Sequence, residues 1–491
     1  MWGSPYPDPL PREEREPSAS EAGEGQRLVP PIAAIATPPG RGGIGIVRVS
    51  GGDLRELIDG IAGRALPARV ATRATFRDAT GGAIDEGLAL YFPAPDSYTG
   101  ENVVEWHGHG GIAVMRLLLA RCVELGARLA EPGEFTKRAF LNGKLDLAQA
   151  ESVADVIEAS TATAVRAAAR SLTGEFSGEV HALRDALIEL RMYTEATLDF
   201  PDEDLDLMRE ADVASRLAAI HERLECVIER ARSGAILRSG LSVVLVGAPN
   251  VGKSSLLNRL AREDAAIVTP VPGTTRDTIE RAIEIGGVPL TVIDTAGLRD
   301  TADEVERQGI ARTRAAIARA DIALLLVDAR DDAIPTEAAA ARHALAMSLP
   351  AALPRIIVHN KCDLALATPH VERYPAELDD GGGHERVATH VWLCALTGEG
   401  VDLLQAEVLR AVGAEHGVED AFFARERQLA ALDEAKVRLR HAALHLDTPA
   451  PSLELFAEEL RGAQTAFSRI TGEFTSDDLL GEIFSRFCIG K

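Results

Sequence analysis

The chain has 491 residues, 46% of them hydrophobic, enough to fill the cores of about three domains. A net charge of −23 excludes a protein that grips nucleic acid over a broad basic face, although a local basic patch can still dock an RNA. Five cysteines (Cys122, Cys226, Cys362, Cys394 and Cys488) are scattered without CxxC spacing, so neither a zinc site nor a disulfide framework is indicated. With no basic-then-apolar leader and no apolar run near the roughly 18 residues of a membrane span, the cytoplasm is the expected compartment.

Residues 1–28 are rich in Pro, Glu, Ser and Gly and are expected to form a disordered extension without chemistry of its own. From Ile32 the texture changes. Ile32-Ala33-Ala34-Ile35-Ala36 reads as a strand, Pro38-Pro39-Gly40-Arg41-Gly42-Gly43 as a loop, and Ile44-Gly45-Ile46-Val47-Arg48-Val49-Ser50 as a second strand whose alternation sets Arg48 apart from Val47 and Val49. Gly87-Leu88-Ala89-Leu90-Tyr91-Phe92 and Val103-Val104-Glu105-Trp106-His107 are strand-like, while Met115, Leu118, Leu119, Cys122 and Val123 recur at helical spacing. An α+β domain over 29–144 is predicted. Its glycine loop lacks the strand-GxxxxGK-helix frame of a nucleotide site. Taken by themselves, Arg48 and Glu105 read as solvated or paired strand residues, and His107 and His109 as structural.

Over 145–238 almost no Pro or Gly interrupts Ala, Leu, Glu and Arg, so helices are predicted; the break at Leu198-Asp199-Phe200-Pro201-Asp202-Glu203-Asp204 reads as a helix-ending turn. Alternating strands and helices then fill 239–413, closing on a helix near Val401-Asp402-Leu403-Leu404, and helical texture resumes over 414–491. The simplest arrangement is one all-α domain built from two segments, with an α/β domain inserted between them.

The inserted domain carries four motifs in order. After the strand Leu241-Ser242-Val243-Val244-Leu245-Val246 comes Gly247-Ala248-Pro249-Asn250-Val251-Gly252-Lys253-Ser254-Ser255, then a helical pattern: a phosphate cradle in which backbone amides turn inward, Lys253 supplies a charge and Ser254 can ligate Mg²⁺. Pro272-Gly273-Thr274-Thr275 offers Thr275 to complete the Mg²⁺ shell. The strand Val288-Pro289-Leu290-Thr291-Val292-Ile293 ends in Asp294-Thr295-Ala296-Gly297, where Asp294 can hold the metal through water and the Gly297 amide can meet the γ-phosphate. Asn360-Lys361-Cys362-Asp363, after the strand Ile356-Ile357-Val358-His359, selects guanine, because the Asp363 carboxylate accepts from N1–H and the exocyclic amine. Cys394-Ala395-Leu396 matches a fifth, weaker motif whose backbone touches the base. This stretch binds GTP and is expected to hydrolyse it, as a Ras-like P-loop G domain.

At the C-terminus, residues 475–478 look like a capped helix start with an acidic first turn, followed by one apolar stripe. Cys488, beside Lys491, is either a thiol whose pKa is lowered by the ammonium or a small buried hydrophobe.

From Ile32 to Lys491 the sequence resembles the MnmE (TrmE) family of tRNA modification GTPases. The resemblance rests on Ala36-Thr37-Pro38-Pro39-Gly40-Arg41-Gly42-Gly43, Gly108-His109-Gly110-Gly111, the run from Pro132-Gly133-Glu134-Phe135-Thr136 to Asn142, Lys144-Leu145-Asp146-Leu147, Leu198-Asp199-Phe200-Pro201-Asp202-Glu203, the G motifs and Phe487-Cys488-Ile489-Gly490-Lys491. It implies an enzyme component that acts with tRNA and a flavin-dependent MnmG-like partner, in a heterotetramer around its own homodimer. The product is an aminomethyl or carboxymethylaminomethyl group on C5 of the wobble uridine. The one-carbon unit would come from a folate, 5,10-methylenetetrahydrofolate or 5-formyltetrahydrofolate, bound by an N-terminal folate-binding-like domain. Arg48, Glu105, Lys144 and Lys491 fall on the family's folate positions. The N-terminal extension departs from the family pattern.

Leu298 stands where a small regulatory GTPase carries a water-orienting glutamine, so another group must align the water. The resemblance selects Glu306 from the acidic run Asp303-Glu304-Val305-Glu306. It also implies a K⁺ site from Asn250, Thr269, Val271 and Thr274, formed when two G domains meet, in place of an arginine finger. An alternative of another class is a ribosome-assembly GTPase acting as a binding switch, which shares the G motifs but not the folate-like domain or the terminal cysteine motif.

Overall fold

The computed structural model describes residues 30–199, 212–248, 250–263, 280–294, 317–330, 350, 353–375, 387–413, 420–448, 452–473, 481, 483–485, 487, 488 and 490. The chain divides into two compact units, Met1–Arg138 with Cys488–Lys491, and Ala139–Phe487.

In the first unit β1 (Ile32–Ile35), β2 (Gly42–Gly51), α1 (Arg55–Ala62), β3 (Thr72–Arg77), β4 (Ala83–Phe92), β5 (Asn102–Gly110), α2 (Ile112–Glu124) and β6 (Arg128–Leu129) are followed by the start of α3 (Glu134–Leu141). The sheet order is β3-β4-β5-β2-β1-β6, antiparallel except for the short β1–β6 pair. Strand alternation sends Val47, Val49, Val104 and Trp106 to one face, where Leu57, Ile61 and Leu118 of α1 and α2 close the core. Trp106 is fully buried and meets Phe76 edge-on at 5.4 Å. The opposite face carries Arg48 and Glu105, which the β2–β5 register sets directly across from each other. Phe135 of α3 packs on Ile32, Ala34 and Ala130.

The second unit runs α4 (Leu147–Glu158), α5 (Ala162–Leu172), α6 (Glu175–Asp199), α7 (Val213–Ser239), β7 (Leu241–Gly247), α8 (Lys253–Glu263), β8 (Glu280–Ile285), β9 (Val288–Asp294), β10 (Ile322–Asp328), β11 (Arg355–Asn360), β12 (His370–Pro375), β13 (Val387–Leu393), α9 (Val401–Ala411), α10 (Glu426–Leu446) and α11 (Leu453–Thr471). Leu183 and Leu187 of α6, Leu224 of α7, Leu432 and Leu439 of α10, and Phe456 and Phe467 of α11 share one core. The helices before and after the inserted sheet therefore form a single all-α body. The turn expected at Phe200-Pro201 and the helix start expected at 475–478 lie outside the described residues.

The inserted sheet has the order β12-β13-β11-β10-β7-β9-β8, parallel except for its two edge strands. The central β10 reads Ile-Ala-Leu-Leu-Leu-Val-Asp and is buried at every position, as expected of a strand covered on both faces. Chain order reverses between β7 and β10, so a crevice opens beyond their carboxyl ends. Ala164, Ala167 and Ala168 of α5 belong to the same core as this sheet, which joins the α/β domain to the helical body. No helix among the described residues is long and apolar enough to cross a membrane.

Candidate functional site

β7 delivers the chain into the phosphate loop at the carboxyl edge of the sheet. Gly247 has no room for a side chain, since a Cβ there would stand 2.6 Å from the Leu326 carbonyl of neighbouring β10. Asn250 and Gly252 take left-handed conformations (φ 62° and 101°), which turn the loop back before α8 begins at Lys253. Lys253 is buried at 7% exposure, and its Nζ donates to the carbonyls of Gly247 and Ala248 at 2.8 and 2.9 Å. The ammonium is thus held inside the curve of the loop, where the amides and the helix N-terminus already favour an anion. Ser254 and Ser255 lie exposed on the first turn of α8. Asp294, at the end of β9, pairs in register with Leu245 and so sits beside the strand that feeds the loop.

The base motif is locked to this loop. Asn360, 2% exposed, donates from Nδ2 to the Val251 carbonyl at 2.7 Å and accepts at Oδ1 from the Ala395 amide at 2.9 Å. One amide side chain therefore ties the phosphate loop, the guanine motif and the Cys394-Ala395-Leu396 segment together. A Cβ on Gly252 would approach Asn360 Nδ2 to 2.1 Å, so only glycine fits. Lys361, also left-handed (φ 66°), donates from Nζ to the Asn250 carbonyl and to Asp328 Oδ2, each at 2.8 Å. The Asp328 carboxylate is held well below the usual carboxylate range by hydrogen bonds from Arg330, then from Lys361, against the opposing effect of burial. Asp363 is exposed, free to meet a base, and Leu396 of the Cys394-Ala395-Leu396 segment is 77% exposed. These residues fit a guanine nucleotide: a cradle without side-chain bulk, a lysine inside it, and an amide that fixes the cradle to the base motif.

In the first unit Arg48 Nε donates to Glu105 Oε1 at 2.8 Å, and His107 Nε2 lies 3.1 Å from the other carboxylate oxygen. The Arg48 guanidinium stands over the rings of Tyr98 and Phe135, 5.6 and 5.8 Å from their centroids. Tyr98 OH meets Thr136 Oγ1 at 2.8 Å, and burial raises its pKa above that of a free phenol. Around this pair Ser50 donates to Glu101, which takes Arg138 at 2.9 Å; Arg138 also binds Glu134, and Glu134 binds Arg128. This network holds α3 to the sheet. A carboxylate flanked by aromatic rings and cations suits a planar heterocycle with donor edges, so the residues present fit a pterin. The Cys488 carbonyl accepts from the Gly133 amide at 3.4 Å, and Gly490 (φ 99°) lies so close to β1 that a Cβ would stand 2.6 Å from the Ile35 carbonyl. Cys488 itself is exposed, which removes the reading of it as a buried hydrophobe.

Family models match most of the chain: "GTP-binding protein TrmE N-terminus" over residues 31–144 and "MnmE helical domain" over residues 147–488. The chain belongs to the MnmE family of tRNA modification GTPases. Curated members carry the name tRNA modification GTPase MnmE. The protein of Ralstonia nicotianae is 56% identical, covering 97% of this chain and 99% of its own length. Those of Azoarcus sp. and Nitrosomonas eutropha are 58% and 56% identical, each covering 94% of this chain, and 98% and 99% of their own lengths.

Of the residues that sequence assigned to the MnmE sites, the structure brings Asn250, Val251, Gly252, Lys253, Asn360 and Lys361 together, and separately Arg48 with Glu105. Lys144 is exposed in the second unit. Thr269, Val271, Thr274, Thr275, Thr295, Ala296, Gly297, Glu306 and Lys491 lie outside the described residues. Sequence reasoning missed Asp328, which seats Lys361, and Tyr98, Phe135 and His107, which surround the Arg48–Glu105 pair. Phe135 lies inside the family motif Pro132-Gly133-Glu134-Phe135-Thr136; nothing local in the sequence marks the others. His107 and His109 each meet an acid, Glu105 and Asp85 respectively.

Proposed function

We propose that the chain is a cytoplasmic, K⁺-stimulated GTPase that works as a homodimer with a flavin-dependent MnmG-like partner. Together they place an aminomethyl or carboxymethylaminomethyl group on C5 of the wobble uridine of tRNA, using a folate one-carbon unit. The observation that carries this reading is the coexistence, in one chain of the MnmE family, of an Asn360-locked guanine cradle and an Arg48–Glu105 pair flanked by aromatic rings. Lys253 would take the β- and γ-phosphates. Ser254 and Thr275 would hold Mg²⁺, with Asp294 behind a water, and Asp363 would read guanine. Asn250, Thr269, Val271 and Thr274 would hold K⁺, which supplies positive charge between the phosphates. Glu306 would orient the attacking water. Glu105 would accept from the pterin edge, and Arg48, Lys144 and Lys491 would meet the remaining polar and anionic parts of the folate.

The test is nucleoside mass spectrometry on total tRNA from cells lacking this gene and any redundant pathway, complemented with wild type or with Glu306→Ala. Loss of the C5-modified wobble uridine, restored by wild type alone, is expected. An unchanged nucleoside profile in the deletion overturns the modification reading in favour of a GTPase that acts only as a binding switch in ribosome assembly.

A further inference from the structure

Glu151 and Asp155, one turn apart on α4, bury their carboxylates to 2% and 3% exposure, and neither belongs to the sites above. Asp155 Oδ1 accepts from Arg238 Nε at 2.9 Å and from Arg425 Nη2 at 3.0 Å. Glu151 takes Arg427 through Nε and Nη2 at 3.0 and 2.7 Å, and Gln428 Nε2 at 2.7 Å.

These partners come from the two places where the chain crosses between the helical body and the G domain. Arg238 lies in the last turn of α7, which is joined through Gly240 to β7, the strand that runs into the phosphate loop. Gly240 has φ 66°, and a Cβ there would stand 2.9 Å from the Pro289 carbonyl, so the connection is a single residue with no slack. Arg425 and Arg427 lie on the returning chain, where Ala421, Phe422, Phe423 and Ala424 are buried. Arg170 and Ser171 of α5 hold the carbonyls of Ala421 and Phe423 at 3.0 and 3.2 Å. One carboxylate oxygen therefore fastens the way into the G domain to the way out.

A buried ion cluster of this kind resists partial rearrangement, because separating one pair strands a charge away from water. It also has a second arrangement within reach. Arg425 Nε is buried without a hydrogen-bond acceptor among the described residues and lies 3.9 Å from Glu151 Oε1. Arg425 Nη2 also donates to the Glu151 carbonyl at 3.1 Å, so a small shift of the returning segment would bring Nε into hydrogen-bond range of the Glu151 carboxylate and redistribute Arg425 between the two acids.

We propose that Glu151 and Asp155, gripping Arg238 on one crossing and Arg425 on the other, form a two-position latch that transmits the nucleotide state of the G domain to the helical body. Asp155 is a positioning residue and touches neither nucleotide nor reacting atoms. The proposal rests on the GTPase reading given above.

The test is hydrogen–deuterium exchange on the full-length protein bound to GDP or to a non-hydrolysable GTP analogue with K⁺, for wild type, Asp155→Asn and Arg425→Lys. In wild type, amides of 147–158 and 420–428 are expected to exchange at rates at least about fivefold apart in the two states, the lower end of ordinary coupling. In both variants GTP affinity and turnover stay at the wild-type level, while that difference disappears and modified uridine formed per GTP hydrolysed falls. A helix packing role alone would change exchange equally in both states. A wild-type protein that hydrolyses GTP with no difference in these segments, or variants that keep it, overturns the latch. Should Asp155→Asn fail to fold, Arg425→Lys, which keeps the charge and loses the fork, decides on the same criteria. A wild-type protein that does not bind the analogue overturns the GTPase reading itself.

Discussion

Asn360 reaches the Val251 carbonyl at 2.7 Å from a side chain that is 2% exposed, so the guanine motif and the phosphate loop are one mechanical piece. Asn360→Ala leaves the Val251 carbonyl and the Ala395 amide without partners, and each buried polar group left unmade costs about 1–3 kcal/mol. Part of that cost falls on nucleotide affinity, so a rise in the dissociation constant for fluorescent GDP of at least about tenfold is expected. Titration of the purified variant, with its helical content checked by circular dichroism, decides it. Wild-type affinity would mean that the loop holds its shape without the lock.

Gly252→Ala attacks the same junction from the other side. The added methyl would stand 2.1 Å from Asn360 Nδ2 at a φ of 101°, so the loop must open. GDP binding should be lost in the same titration, while binding of 5-formyltetrahydrofolate, proposed for the Arg48–Glu105 face of the first unit, should be retained.

The G domain was legible because each of its motifs is contiguous: loop, lysine and helix start are written side by side, and β10 announces itself as an unbroken apolar run. The Arg48–Glu105 pair was legible only through family resemblance. Its members lie 57 residues apart, and their meeting depends on the register of β2 against β5, which residue alternation does not specify. Glu151 and Asp155 were invisible for a related reason. On a helix rich in alanine they look like solvated charges, and what buries them, Arg425 and its neighbours, arrives 270 residues later.

Thiol reactivity separates the five cysteines. Burial pushes the Cys122 pKa up to about 12 and also raises that of Cys362, while Cys226 and Cys488 are exposed. Reaction needs the thiolate. With an aromatic disulfide reagent near pH 8, Cys226 and Cys488 should react fast and the buried three only on unfolding, and Cys488→Ser should remove one fast thiol. The sign for stability follows. Above the unfolded value of about 8.5 the unfolded chain releases the Cys122 proton that the native chain keeps, so stability falls as pH rises toward that of the folded group. The melting-temperature gap between wild type and Cys122→Ala should therefore narrow as pH increases from neutral. A constant gap would show that Cys122 does not titrate differently in the two states.

Gly287 closes the β8–β9 turn at φ 86° and accepts at its carbonyl from Thr161 Oγ1 at 2.9 Å, the residue that also caps α5. A Cβ there would stand 2.5 Å from Thr163 Oγ1. Gly287→Ala therefore strains the turn and pushes α5 off the sheet, and a loss of about 1–3 kcal/mol is expected from a side chain forced into this region. Thermal unfolding of the full-length variant measures it. An unchanged midpoint would mean that the turn relaxes without disturbing α5.

Glu105 is held from both sides, by Arg48 Nε at 2.8 Å and His107 Nε2 at 3.1 Å, with Tyr98 and Phe135 walling the guanidinium. Glu105→Gln keeps the shape and removes the charge, so a pterin held there as proposed would lose a charge-assisted acceptor worth about 1.5–3 kcal/mol, or roughly 10–150-fold in affinity. Arg48→Lys keeps a cation but gives up the planar fork and its ring contacts, so Glu105 is oriented less firmly and a smaller loss is expected. Calorimetric titration of the full-length variants with 5-formyltetrahydrofolate measures both, and GTP turnover should not change in either. Wild-type folate affinity in Glu105→Gln would place the pterin away from this face of the sheet and return Arg48 and Glu105 to the role of an ordinary cross-strand ion pair.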